Sequence, residues 1–216
     1  MMTRAQVISL FPKGVDVGVG ITDPRRPEGV LYPSEELAIS RAVPKRRDEF
    51  RAGRSAARQA MRAVGAAPSA LPARKDRLPD WPEGIAGSIT HCRDLCVACA
   101  STGARAIGLD VETATELPAD LWETILLPDE HEAVRSSAHP GALATLIFSS
   151  KEAAYKAQYP LSETLFGFHD LGVSITGSGH FQACFRTTAG PFQPGDTMRG
   201  RYLKTQDHIL TAVVLT

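Results

Sequence analysis

Two rhythms of apolar residues run along the chain. Short apolar stretches predict strands at Val15–Ile21, between Gly84 and His91, at Leu95–Ala100, which is continuously apolar and reads as buried, and at Ile107–Glu112, which alternates. Four more are predicted near the end, at Leu171–Thr176, His180–Arg186, Met198–Leu203 and His208–Leu215. Helical spacing predicts a long helix from Pro44 to about Val64. Pro44 sits at its start, where a missing N–H costs nothing, and Gly65 follows its end. A second long helix, free of Gly and Pro, is predicted from about Ala142 to Gln158, stopping at Pro160. Shorter helices are expected after Ser34, from about Pro118 to Leu127, and from Pro128 to just before Pro140. The stretch 66–82 is Pro-rich and irregular.

Charge divides the chain. Residues 1–105 carry 17 Lys+Arg against 11 Asp+Glu, and residues 106–216 carry 7 against 13. The turn signal Ser101-Thr102-Gly103 lies beside this reversal, so domains 1–103 and 104–216 are expected. A basic half and an acidic half suit a polyphosphate and a metal. The whole chain is neutral, which implies no general attraction to nucleic acid or membrane. The N-terminal apolar run is too short for a signal peptide or a span, and no stretch reaches 18 apolar residues. A soluble, cytoplasmic protein is expected.

Candidate chemistry gathers between Ile107 and Lys156. On a strand, Gly108, Asp110 and Glu112 share one face, and Gly108 leaves room for something to approach the backbone. Glu152 and Lys156, four apart, are neighbours on a helix. Three carboxylates make a hard, all-oxygen site suited to Mg²⁺, with Mn²⁺ as a substitute. Spacing alone leaves solvated acids and an exposed ion pair as the alternative. On the Pro44 helix, Arg47, Arg51, Arg54 and Arg58 fall within one sector of roughly 60°. They form either a solvated edge or a phosphate-binding one. The cysteines Cys92, Cys96 and Cys99 lie on an extended stretch, which spreads them to both faces and argues against zinc.

The strings IGLDVE (107–112) and FSSKEAAYKAQYP (148–160) resemble the paired signature of 4'-phosphopantetheinyl transferases. KRRDEFRAGRSAAR (45–58) resembles the family's N-terminal helix, and RLPDWPEGIAGSITH (77–91) the motif in which a Ser/Thr-His pair meets coenzyme A phosphates. The resemblance implies an α+β fold of two similar subdomains in a pseudo-twofold arrangement, with the active site in a cleft between them. It implies transfer of 4'-phosphopantetheine from coenzyme A to a serine of an acyl or peptidyl carrier protein, releasing 3',5'-ADP. Asp110, Glu112 and Glu152 would hold Mg²⁺, and Glu152 would also take the serine proton. Lys156 would stabilise the leaving phosphate. Arg46, Arg54, Thr90 and His91 would anchor coenzyme A, with Lys75 from the cluster Arg74, Lys75 and Arg77, Asp110 at the pyrophosphate, and Lys151 adding charge. A monomer is expected. The rival readings are another Mg²⁺-dependent phosphate hydrolase and a non-catalytic coenzyme A-binding or carrier-docking module.

Overall fold

The computed structural model describes residues 2–216. It divides into two compact units, one running to Arg105 and also holding Thr216, the other Ala106–Leu215. The fold is α+β: each unit is an antiparallel sheet carrying one long helix.

The first unit comprises α1 (Arg4–Ile8), β1 (Gly18–Thr22), α2 (Pro33–Ala38), α3 (Pro44–Ala63), β2 (Ala86–His91) and β3 (Cys96–Ser101). Its sheet has the order β1-β3-β2, antiparallel throughout. Helix α3 lies on that sheet through Ala52, Ala56, Ala60 and Met61, which pack on Cys96, Ala98 and Ala100. The approach is close because the facing strand is glycine. A Cβ on Gly20 would collide with the carbonyl of Ala56. After α3, Gly65 takes φ +74°, the left-handed conformation that stops a helix.

The second unit comprises β4 (Ala106–Thr113), α4 (Trp122–Ile125), α5 (Pro128–Arg135), α6 (Pro140–Ser162) and the strands β5 (Leu171–Gly177), β6 (His180–Phe185), β7 (Thr197–Lys204) and β8 (His208–Leu215). Its sheet order is β4-β8-β7-β6-β5. The two units repeat one path. A first strand leads to a long helix, and the last strand returns antiparallel beside the first. The core of the second unit packs Ile147, Ala153, Ala154 and Ala157 of α6 against Val173, Phe181, Phe185 and Val213.

Several elements differ from expectation. The first strand begins three residues later than predicted, and α1 was not foreseen. The segment expected as one helix from Pro118 to Leu127 is a 3₁₀ turn, Ala119–Leu121, followed by a single α-turn. Helix α6 begins at Pro140 and continues through Pro160 to Ser162, ending at Glu163 with φ 49°. Proline removes one N–H, but packing along α6 outweighs that loss for a final half-turn. Among the described residues, no helix is long and apolar enough to cross a membrane.

Candidate active site

In the second unit, strand alternation directs Gly108 and Asp110 onto α6. A Cβ on Gly108 would strike the carbonyl of Ala153, so the group that approaches this backbone is the protein's own helix. Asp110 is buried. Its Oδ1 accepts from Lys156 Nζ at 2.6 Å and its Oδ2 from Ser149 Oγ at 2.9 Å. Lys156 Nζ also lies 4.0 Å from Glu152 Oε2. The helix therefore presents Ser149, Glu152 and Lys156 along one stripe toward the end of β4, at the i, i+3, i+7 spacing of a helix face.

One cation here serves three carboxylates. Burial pushes the Glu112 carboxyl up to about 7, Asp110 adding to the rise and Lys156 opposing it. Burial also raises Glu152, with Lys156 pulling back and Asp110 adding to the rise. Burial pulls the Lys156 ammonium down, but Asp110 and Glu152 outweigh it and hold its pKa above the ordinary lysine range. The oxygens of the three carboxylates do not all lie within 4.8 Å of one another, so they form no closed cage. An open, all-oxygen, charge-deficient site suits a hard divalent cation completed by water and substrate oxygens. Beside Glu152 lies a mainly apolar pocket, with about 450 Å³ of empty volume, walled by Tyr155, Phe166, Phe168 and Leu171.

The first unit holds a separate cationic group. Arg46 Nη1 lies 3.4 Å from His91 Nε2 and 3.5 Å from Glu49 Oε2. Arg54 is buried, donates Nε–H to Leu71 O at 2.6 Å, and lies 4.0 Å over the Phe50 ring. Burial lowers its pKa to about 10; Glu35 opposes the shift, and Arg46 and Arg58 strengthen it. Arg54 stays charged at neutral pH and would gain from a nearby anion.

Two family models match the chain. The 4'-phosphopantetheinyl transferase N-terminal domain covers residues 34–101, and the 4'-phosphopantetheinyl transferase superfamily covers residues 106–212. This chain belongs to the 4'-phosphopantetheinyl transferase family. It is 31% identical over 219 residues to 4'-phosphopantetheinyl transferase Npt of Nocardia iowensis, which spans 95% of this chain and 97% of that one. It is 35% identical over 196 residues to PptT of Mycobacterium tuberculosis, covering 85% of each. It is 34% identical over 196 residues to enterobactin synthase component D of Salmonella typhimurium, covering 87% of this chain and 80% of that one.

Some expected roles in this transferase require correction. Lys151 does not face a substrate phosphate. Its ammonium is 1% exposed and its three protons have three acceptors: Glu130 Oε2 at 2.7 Å, Ile125 O at 2.7 Å and Phe168 O at 2.9 Å. Burial lowers the Lys151 pKa and Glu130 restores part of it. The four-arginine sector does not act as one edge. Arg58 Nη1 donates to buried Glu35 at 2.7 Å and Nη2 to Val30 O at 2.9 Å, because the 28–38 segment covers the middle of α3. Alternation along β2 sends Thr90 to the opposite face from His91, so His91 alone joins Arg46. Lys75 is exposed on the 74–77 turn. Three buried residues beside the site were not foreseen: Ser149, Thr211 and Glu130. Ser149 lies inside the FSSKE string, but no local signal marks the other two.

Proposed function

We propose that Asp110, Glu112, Glu152 and Lys156 carry the family's transfer of 4'-phosphopantetheine from coenzyme A to a carrier-protein serine. The observation that supports this most is the grouping of three carboxylates, Asp110 buried and Glu112 and Glu152 half-buried, near one lysine, with Glu112 pushed up to about 7. Asp110, Glu112 and Glu152 would hold Mg²⁺, which when bound supplies positive charge to the pyrophosphate oxygens. The serine oxygen forms a bond to the phosphorus carrying pantetheine. The phosphoanhydride bond breaks, and 3',5'-ADP leaves with the bonding electron pair. Glu152, half-buried and with its carboxyl raised, accepts the serine proton. Lys156 places its charge where the leaving phosphate becomes more negative.

Arg46, His91 and Arg54 suit the nucleotide phosphates, and the pocket beside Glu152 suits the uncharged pantetheine arm. Lys75, exposed on its turn, is assigned to the same phosphates. The protein acts as a cytoplasmic monomer on this reading, with no nucleic-acid or membrane partner. A hydrolase or a non-catalytic module is the weaker reading, since the similar proteins named above include two named as transferases. Incubation with coenzyme A, Mg²⁺ and an unmodified carrier protein is expected to add one phosphopantetheine arm to the carrier by intact mass. Release of 3',5'-ADP without carrier would instead indicate hydrolysis.

The same site sets an expected pH dependence. In the metal-free fold Glu112 holds its proton up to about 7, against about 4.5 in the unfolded chain. A raised acid favours the fold in its protonated state. Its contribution to stability therefore declines as pH rises from about 4.5 through 7. Mg²⁺ must displace that proton, so its apparent affinity is expected to fall by up to about tenfold per pH unit below 7. Calorimetric Mg²⁺ titrations at several pH values check this. Glu112→Gln should flatten the pH slope, since only the raised Glu152 carboxyl then remains to compete, and an unchanged slope in that variant would assign the proton elsewhere.

A further inference from the structure

Asp110 is held by a residue of the second signature string, Ser149, which is itself held from strand β8, outside both strings. In the β4–β8 ladder its register partner is Thr211, so the two side chains stand on one face of the sheet, toward α6. Ser149 of α6 meets both. Its Oγ donates to Asp110 Oδ2 at 2.9 Å and lies 2.9 Å from Thr211 Oγ1. Thr211 Oγ1 donates to the Ser149 backbone carbonyl at 2.8 Å. Ser149 and Thr211 are each 0% exposed, and Asp110 is 4% exposed.

Each hydroxyl carries one proton to give. Both acceptors within reach of the Thr211 proton, Oγ and the carbonyl oxygen, belong to Ser149. Thr211 gives its proton to the Ser149 carbonyl, so the single Ser149 proton has two acceptors in reach, Thr211 Oγ1 and Asp110 Oδ2, and the carboxylate paired with Lys156 is the stronger of the two. Lys156 holds the other carboxylate oxygen at 2.6 Å. The Asp110 carboxylate is thus gripped at both oxygens. A ligand whose rotamer is fixed before the metal arrives loses less freedom when it binds.

We propose that Ser149 and Thr211 are positioning residues that orient Asp110 for the divalent cation, with strand β8 supplying the final member of the relay. The proposal rests on Asp110 being a metal ligand. Thr211→Val keeps the shape and removes the hydroxyl, Thr211→Ser keeps the hydroxyl and removes the methyl, and Ser149→Ala removes the donor itself.

The test is Mn²⁺ binding to the full chain with coenzyme A present, read from the electron paramagnetic resonance signal of free Mn²⁺. Thr211→Val and Ser149→Ala are expected to weaken binding by about tenfold, the lower end for outer partners of a metal ligand. Thr211→Ser should recover most of the loss seen in Thr211→Val. Equal loss in Thr211→Ser and Thr211→Val would show that packing matters rather than the hydroxyl, and would overturn the proposal. Unchanged affinity in both Thr211→Val and Ser149→Ala would overturn it as well. Asp110→Asn separates the two levels of the argument. If it weakens Mn²⁺ while the hydroxyl variants do not, only the positioning role fails. If it leaves Mn²⁺ binding intact, the assignment of Asp110 as a ligand fails.

Discussion

Glu152→Gln is expected to lower kcat by about 10²–10⁴-fold, the range for removing a general base. The melting temperature should stay close to that of the parent protein. The substitution keeps the side-chain shape and removes both the negative charge and the basicity. Glu152 is half-buried and has one cationic neighbour at 4.0 Å, so its loss leaves no buried charge stranded. Stopped-time carrier modification beside a thermal melt measures both effects. Near-normal kcat would reduce Glu152 and Lys156 to a surface ion pair, worth about 0.3–0.5 kcal/mol. Lys156→Ala should lower kcat more than it raises KM for coenzyme A, because its charge matters most as the bond breaks. The equivalent alanine test at Asp110 is less clean. Asp110 is packed against Ser149 and Lys156 rather than lying on an open surface, so its removal also disturbs the fold.

Lys151→Met, by contrast, is expected to destabilise the second unit by about 3–5 kcal/mol, the cost of breaking a buried pair by removing one partner. It would leave Glu130 buried without its cation, and the carbonyls of Ile125 and Phe168 without this donor. Glu130 Oε1 accepts from Val173 N at 2.6 Å and Oε2 from Leu127 N at 2.7 Å. Together, Glu130 and Lys151 satisfy backbone groups at the end of α4 (Ile125), at the N-cap of α5 (Leu127), at Phe168 and on the outer edge of strand β5 (Val173), where helix ends and a sheet edge leave groups without a backbone partner. The double variant Lys151→Met with Glu130→Gln should recover much of the loss, because no charge is then left unpaired. Urea unfolding of both variants beside the parent protein decides the matter. A stability change under about 1 kcal/mol with a raised KM for coenzyme A would return Lys151 to the phosphate site.

Much of the local structure was legible before folding. Short apolar runs, alternating or continuous, located the eight strands, and Pro44 and Gly65 bounded α3, because backbone preference and capping act over a few residues. The spacing of Asp110 with Glu112, and of Glu152 with Lys156, determined which side chains share a face, since strand and helix periods are fixed by geometry. Family membership also lay in the motifs themselves. Pro160 was misread as a stop, because its local penalty is small against the packing of the helix that carries it.

What only the tertiary structure decided is which charged groups are already committed. Sequence made Lys151, Arg54 and Arg58 look alike as candidate phosphate ligands. Burial and partners separated them: Lys151 saturates three acceptors, Arg58 is tied to Glu35, and Arg54 is fastened to Leu71 O while keeping Arg46 as a like-charged neighbour. Thr211 is the same lesson in reverse. It lies 101 residues beyond Asp110 in the chain, with nothing local to mark it, and becomes relevant only through the register of β4 against β8. Hydrogen-bond partnership depends on positions in space to within a fraction of an ångström, and no periodicity in the chain encodes contacts between residues so far apart.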